Sequence, residues 1–373
     1  MARSKLIIAA SESSADQLYA TKFRAPDAFV FLQSGGKKLL LLSDLEVDRG
    51  RAEAAVDEVH ALSEVEKRLA GKKNKKPSYS QVVAAWLKEN RAVSVDVPED
   101  FPLGLACSLG GEGIRIVPCK GPIWPEREIK SSNEVRALEA ALRIAEAGLF
   151  RAFEVLRTTK PRKDGTLVLG RQVLTAEALR IEMETAVVRA GGEARGDTIV
   201  ACGEQACDPH GRGQGPLRAN ELLILDIFPR DARSGFFGDI TRTVVRGRAS
   251  EAQRQVWDTC LAGQALALEK MRPGTKGSGV HEEVKSFFAA NGYPTGIVNG
   301  RWQGFFHGTG HGLGLEVHEF PRFAATTFVP GQVLTIEPGI YIPGLGGVRH
   351  EDVALVTKSA PRVLTSVPKV LEI

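Results

Sequence analysis

The chain is poor in the features that would commit it to a disulfide framework, a membrane or a polyanionic partner. Its 373 residues include five cysteines, Cys107, Cys119, Cys202, Cys207 and Cys260, an odd and scattered set with no Cys-x-x-Cys pair. That excludes a small disulfide-stapled scaffold and fits a reducing, cytoplasmic compartment. Cys202 and Cys207 come nearest to a pair, but their spacing is wrong for a zinc knuckle and they flank a glycine-containing turn, so they read as buried thiols. No apolar run approaches the length of a membrane span, and Leu6-Ile7-Ile8-Ala9-Ala10 is too short for a signal segment. Charge of one sign is scarce as well: 49 Lys and Arg against 45 Asp and Glu leave +4. A balance that small does not point to nucleic acid, and the basic run Lys72, Lys73, Lys75, Lys76 reads as a solvated loop or helix end. A phosphate-binding loop is also missing. Gly110-Gly111-Glu112-Gly113 lacks the strand, helix and acidic partner of a dinucleotide fingerprint and reads as a turn.

What is present is enough apolar content, 43%, for a large core and two domains. Residues 1–125 alternate strand-like and helix-like segments and predict a compact α/β domain. Segments 28–32 and 38–42 form a hairpin across Gly35-Gly36, 51–69 reads as a charged helix with His60 on its surface, and 92–95 and 114–117 read as further strands. A boundary falls near 122–130. Residues 126–373 then open with a capping box, Ser131 with Glu134, ahead of Val135, Leu138, Leu142, Ala145, Leu149, Ala152 and Leu156 at steps of three and four. A second helix starts after Thr175 and stops at Gly191-Gly192. Two strands follow, 221–228 and 236–245, joined by a loop at 229–235 that places Asp226 and Asp239 opposite each other.

The same syntax returns in the second half. Ser250 with Gln253 starts a helix running to about Met271, another covers about 280–290, and two strand arms, 333–341 and 347–356, meet at the turn 343–346 with Glu337 and Glu351 on either arm. Two helices and an acid-bearing hairpin, written twice, predict a pseudo-duplicated domain whose halves each donate a carboxylate pair to one site. Between helices and hairpin lies His307–Pro321, in which His307, His311 and His318 are interleaved with Gly308, Gly310, Gly312 and Gly314. Glycine permits close approach to the backbone, so these imidazoles are expected in a cleft. Any one of the acids alone reads best as a salt-bridged strand residue. Four at matched hairpin positions, with an imidazole nearby, point instead to a cation cage, because unpaired carboxylates in apolar strands repel and are costly to desolvate. Oxygen ligands with a single nitrogen suit manganese first, with cobalt or zinc as alternatives, and two divalent ions would balance the charge. The expected chemistry is hydrolysis.

In order, Pro209-His210, Asp226, Gly238-Asp239-Ile240-Thr241-Arg242-Thr243, Gly310-His311-Gly312 through Val317-His318-Glu319-Phe320-Pro321, Ile336-Glu337-Pro338-Gly339 and Val348-Arg349-His350-Glu351-Asp352 resemble the motifs of the pita-bread metallopeptidases. Within that group the likeness is to the enzymes acting on proline-containing peptides, Xaa-Pro aminopeptidase and Xaa-Pro dipeptidase (prolidase). The resemblance covers 126–373; residues 1–125 are a weaker match to that family's smaller accessory domain. It implies that Asp226, Asp239, His311, Glu337 and Glu351 hold two metal ions, with Asp239 and Glu351 bridging, and that a metal-bridging hydroxide attacks the Xaa-Pro bond. By the same resemblance Glu337 would move the proton, His318 would contact the scissile carbonyl, His210 would lie on the substrate side and His307 would be an accessory histidine. Arg349 would orient a ligand carboxylate or meet a substrate carboxylate, an internal salt bridge being the favoured reading. A homodimer is implied by the resemblance alone.

His281 reads as surface, and His350, by strand alternation, points away from the metals. The departures are Phe228, where the family commonly has glycine, a longer interval between Asp226 and Asp239, and Gly238 in place of a common serine. The competing readings are a metal-free creatinase-like hydrolase and a non-catalytic binding protein on the same fold; a methionine aminopeptidase fits the His307 and Arg349 positions less well.

Overall fold

The computed structural model describes residues 3–70 and 76–373. Its contacts divide the chain into two compact units, Met1–Pro125 and Glu126–Ile373.

The first unit is built on a six-stranded mixed sheet, in the order Glu58–Ala61, Lys37–Leu42, Phe29–Ser34, Ser4–Ala9, Ser94–Val97, Arg115–Pro118. Continuous apolar runs such as Leu39-Leu40-Leu41-Leu42 mark strands covered on both faces, and the two cores divide them by alternation. Leu39, Leu41, Val30 and Leu32 pack with Trp86 on one side, whereas Leu40, Leu42, Phe29 and Phe31 pack with Phe23 and Trp124 on the other. The run at Leu6 is thus a central strand.

The single helix expected over 51–69 is wrong. Helix Val47–Glu53 gives way to strand Glu58–Ala61 and then helix Leu62–Ala70. The strand pairs in parallel with Lys37–Leu42, so tertiary hydrogen bonding overrides a charge pattern that looks helical. His60 consequently sits on a strand, half-buried, with Nε2 3.3 Å from Glu58 and its ring edge-on to Trp86. Lys72, Lys73 and Lys75 lie outside the described residues; Lys76 is exposed.

In the second unit, helix Ser132–Thr158 starts on the expected reciprocal cap: Ser131 Oγ accepts from Glu134 N, and Ser131 N donates to Glu134. All seven stripe residues are buried. Helix Ala176–Arg189, capped by Thr175, packs beside it over an antiparallel sheet of Ile199–Cys202, Leu222–Ile227 and Ile240–Val245. The second half repeats the plan. Helices Glu251–Lys270 and Gly277–Ala290 pack on a sheet ordered Glu319–Arg322, His311–Gly312, Val333–Ile336, Asp352–Leu355, Arg362–Val363.

Two expectations about the hairpins need correction. Asp226 stands opposite Thr241, not Asp239, because the connecting loop folds back on itself through the short strand Arg230–Asp231. Asp239 lies two residues ahead of Thr241, hence on the same face and diagonal to Asp226. The second pair of arms is not two continuous strands either. Val333–Ile336 and Gly339–Ile342 are separate, as are Gly346–Arg349 and Asp352–Leu355, and the inner segments pair in a sheet of their own. The interruptions fall at Glu337-Pro338 and His350-Glu351, where Pro338 has no N–H to give a ladder. Gly238 also has a physical reason: a Cβ there would lie 2.3 Å from the Ala141 carbonyl oxygen, so the strand approaches the long helix only because the residue is glycine.

Arg242 ties the two halves together. Its buried guanidinium donates to Asp352 at 2.8 Å, to the Val367 and Thr241 carbonyls, and to the carbonyl of Glu351. Burial acts to raise the pKa of Asp352, but the charges of Arg242 and Lys369 outweigh it and hold the pKa down. Replacing Arg242 with Met leaves Asp352 short of a partner in a dry site, and the expected loss is ~3–5 kcal/mol of unfolding free energy. Urea titration of the metal-free protein checks this; a change below about 1 kcal/mol would mean the strap is not a principal tie.

Candidate metal centre

The two hairpins bring their acids to one cavity of about 790 Å³. Asp226, Asp239, His311, Glu337 and Glu351 all line it, together with His210, His307, His318 and Arg349. Ligand atoms of Asp239, His311 and Glu351 lie within 4.8 Å of one another. His311 Nε2 is 3.1 Å from Glu337 and 3.7 Å from Asp239. Three of the four acids, Asp239, Glu337 and Glu351, are thus gathered around one imidazole, and Asp226 lines the same cavity.

The electrostatics are those of a site short of positive charge. Asp239 and Glu351 are 3% and 2% exposed. Burial first, then neighbouring carboxylates, push both pKa values well above the ordinary carboxylate range. Asp226 is raised too, by burial, even though Arg349 donates to it at 2.6 Å; its other oxygen, Oδ1, is buried with no hydrogen-bond partner. For His311, burial acts to lower the pKa, but the hydrogen bond to Glu337 and the charges of Glu337 and Asp239 bring it up to about 9. Burial likewise opposes ionisation of Glu337, yet His311 holds it down to about 2. An orphaned buried oxygen, two carboxyls forced toward the neutral state and one imidazole are a donor set that fits hard or borderline divalent cations.

Threonines set the orientation of these groups, and the sequence reading missed them. Thr241 Oγ1 donates to Glu351 at 2.7 Å; Thr335 Oγ1 donates to Glu337 at 3.1 Å and accepts from the His311 backbone N–H. Thr309 accepts the Glu337 N–H on its carbonyl. Thr241 and Thr335 were legible in principle, since each lies two residues from a cavity acid on its own chain segment and so faces the same way.

Tyr341 was missed as well. Its hydroxyl accepts from Arg349 Nη1 at 2.9 Å and lies 2.8 Å from His307 Nε2. His307 Nδ1 is 2.8 Å from the Gly308 carbonyl and must donate to it, so Nε2 accepts the tyrosine proton. Burial pushes the His307 pKa down to about 4, consistent with this neutral tautomer. Gly339 makes the arrangement possible, because a Cβ there would lie 2.5 Å from the Tyr341 oxygen and 3.0 Å from His307 Nε2.

The remaining histidines separate. His318 is exposed, with its ring 4.3 Å from that of His311, and His210 is exposed too, its backbone N–H bonded to Asp208. His281 is not a surface residue as expected: it is half-buried, 2.9 Å from Thr309 Oγ1 and packed on Phe305, bracing the histidine loop from helix Gly277–Ala290. His350 is fully buried against Trp257, neither ring nitrogen has a partner, and burial pushes its pKa down to about 3. Phe228 lines the cavity, so the departure at that position borders the site. Cys202 and Cys207 are buried free thiols raised to about 12 and about 11, first by burial.

Comparison with known proteins agrees with this geometry. The model of metallopeptidase family M24 matches residues 136–358. The chain belongs to metallopeptidase family M24. Among its M24 relatives, an Xaa-Pro dipeptidase of Pyrococcus horikoshii is 34% identical over 249 residues, 66% of this chain and 64% of that protein. An uncharacterised peptidase of Bacillus subtilis is 35% identical over 261 residues, 69% of this chain and 67% of that one. The aligned stretch therefore spans about two thirds of these curated relatives. Solved structures match over nearly the whole chain. The prolidase of Pyrococcus horikoshii OT3 has a TM-score of 0.79 at 26% identity, covering 99% of this chain and 95% of that one. The X-Pro aminopeptidase of Thermotoga maritima MSB8 has 0.81 at 22%, covering 100% and 97%. The mixed α/β fold with its duplicated second unit is the pita-bread architecture expected from the sequence.

Were this donor set to hold a metal, His311 would have to be neutral and the carboxyls ionised, so added manganese is expected to release protons at neutral pH, and its affinity to rise from about pH 6 to about pH 9. The sign follows from His311, whose raised pKa of about 9 leaves it protonated, and so unavailable, at lower pH. Calorimetry in buffers of different ionisation enthalpy measures the protons; binding without proton release and without pH dependence would contradict the assignment.

Proposed function

We propose that this M24 protein is a two-metal exopeptidase that hydrolyses the Xaa-Pro bond at the N-terminus of short peptides. The second unit is then the catalytic domain and the first an accessory domain. The observation that carries this is the convergence of four carboxylates and one imidazole in a single cavity, with three further histidines on its walls. The names of the relatives supply the substrate class.

In this reading Asp226, Asp239, His311, Glu337 and Glu351 hold two divalent cations, manganese first and cobalt or zinc as alternatives. Bound there, they would polarise the scissile carbonyl and acidify a water. The chain's own groups do the rest. Glu337, its Oε1 accepting from Thr335 Oγ1, takes the proton of the attacking water and passes it to the leaving imino nitrogen of proline. His318 donates toward the oxygen on which charge develops. His210 lies on the substrate side and His307 is an accessory histidine, both in the lining of the same cavity. Arg349, fixed by Asp226 and Tyr341, holds Asp226 in place. A metal-free hydrolase or an inert binding protein on the same fold is disfavoured because neither explains a buried carboxylate cluster with so little protein cation beside it. Five free cysteines suit the reducing, cytoplasmic setting of this reading, and light scattering checks the homodimer that goes with it.

Chelation is expected to abolish cleavage of Ala-Pro and Ala-Pro-Ala, with manganese restoring it, and Glu337→Gln to lower kcat by about 10³-fold, within the range general-base removal typically gives. Asp239→Asn should in addition lower the metal content of the purified protein. Proline-peptide cleavage that survives chelation, or full activity in Glu337→Gln, would overturn the reading. The ratio of dipeptide to tripeptide turnover decides between dipeptidase and aminopeptidase.

A further inference from the structure

His318 is followed by an acid that faces away from the cavity. Successive side chains of a strand point to opposite sides, and His318 lines the cavity whereas its neighbour Glu319, which opens the strand Glu319–Arg322, does not. Glu319 is 5% exposed and meets two cations from the segment ahead of helix Ser132–Thr158. Lys130 Nζ donates to its Oε1 at 2.6 Å, and Arg127 Nη2 donates to its Oε2 at 2.6 Å and to Glu316 at 2.8 Å. Lys130 is buried as well and gives a further hydrogen bond to the Arg127 carbonyl. Its backbone is pinned by an N–H bond to the Gly331 carbonyl at 2.8 Å, and the capping residue Ser131 comes next.

The same carboxylate organises the loop that carries His318. Residues 313–318 connect the paired positions Gly312 and Glu319, and the loop closes over the Glu319 side chain. The Glu316 backbone N–H donates to Oε2 at 3.3 Å, and a Cβ on Gly314 would lie 2.2 Å from Oε1, so only glycine fits there. The Gly314 carbonyl accepts from the Phe237 N–H at 2.8 Å, which ties the loop to the segment that bears Asp239. Among the described residues the His318 ring enters no hydrogen bond; it meets the His311 ring edge-on, 4.3 Å between centroids. Where that imidazole sits is therefore set by its backbone, and its backbone is set by the acid beside it. An ion pair this deeply buried adds little to stability, since the cost of drying both partners offsets most of their attraction. What it fixes is geometry: short charge-assisted bonds on both oxygens leave the carboxylate no freedom to turn.

We propose that Glu319, gripped by Lys130 and Arg127, is a positioning residue that holds His318 at the metal cavity. It acts on the reaction only through that imidazole. Its effect on rate rests on the reading of the cavity as an Xaa-Pro peptidase site, in which His318 meets the scissile carbonyl; its effect on the place of His318 does not.

Two measurements on the full chain test this. In the metal-free protein, an NMR cross-relaxation peak between the His311 and His318 ring protons, assigned by its loss in His318→Ala, is expected in the wild type and expected to vanish in Glu319→Gln. In the manganese-loaded protein, Glu319→Gln is expected to lower kcat on Ala-Pro-Ala by about tenfold with KM within about twofold, a fraction of what a misplaced donor to a developing charge can cost. In the His318→Ala background the same substitution should change kcat by less than about twofold, because the group it acts through is gone. Lys130→Arg, which keeps the charge, should retain most of the wild-type rate. Glu319→Gln leaves Lys130 buried without its charge partner, so Lys130→Met/Glu319→Gln carries the same measurements should the single variant not fold. A ring-to-ring peak that persists in the substituted protein or is absent from the wild type, a wild-type kcat in Glu319→Gln, an equal loss with and without His318, or failure of both variants to fold overturns the assignment. A wild type that cleaves neither Ala-Pro-Ala nor Ala-Pro sinks the peptidase reading, and the NMR comparison still decides whether Glu319 places His318.

Discussion

The structure is arranged around negative charge that the protein itself does not neutralise. Asp226, Asp239, Glu337 and Glu351 converge from two halves of one unit, and among the described residues only Arg349 and His311 are ion-paired with them. Among carboxylates this deeply buried such a cluster is strongly unfavourable unless protons or cations enter, and the raised pKa values of Asp239 and Glu351 express that cost. The duplication makes the cluster possible. Each half supplies a helix pair, which buries one face of a small sheet, and each sheet ends in acids that point to the shared cavity.

The surrounding bonds explain why the acids stay in position while repelling one another. Thr241 links one half to the other by donating to Glu351 while its own strand pairs opposite Asp226. Arg242, on the reverse of the same strand, grips Asp352 and the carbonyl of Glu351. The strain of assembling the site is thus borne by a buried polar layer behind it, with every guanidinium nitrogen of Arg242 bonded. On the far side, Asp226, Arg349, Tyr341, His307 and the Gly308 carbonyl form one continuous chain of hydrogen bonds, which ties the histidine loop to the first half.

Much of this was legible in the sequence for a simple reason: the capping boxes at Ser131 and Ser250 and the helical stripe after Val135 are local signals, and local signals survive folding. The cavity acids were visible because charge in an apolar strand is anomalous. What could not be read depends on partners distant in sequence. Strand Glu58–Ala61 exists because Lys37–Leu42 offers it an edge, and its own residues look helical. Asp226 meets Thr241 and not Asp239 because the intervening loop is asymmetric, which residue counting from a midpoint cannot detect. His281 looked like surface on a polar helix until the histidine loop was laid against it. Tyr341 carries no charge and sits in an apolar run, so only the hairpin register and the room left by Gly339 and Gly347 mark it as part of the site.

Anomalous diffraction from crystals soaked in manganese tests the central claim most directly. The account predicts two peaks about 3.5–4 Å apart, ringed by Asp226, Asp239, His311, Glu337 and Glu351. An absence of anomalous density in that cavity at saturating manganese, or ions bound only to other residues, would contradict it.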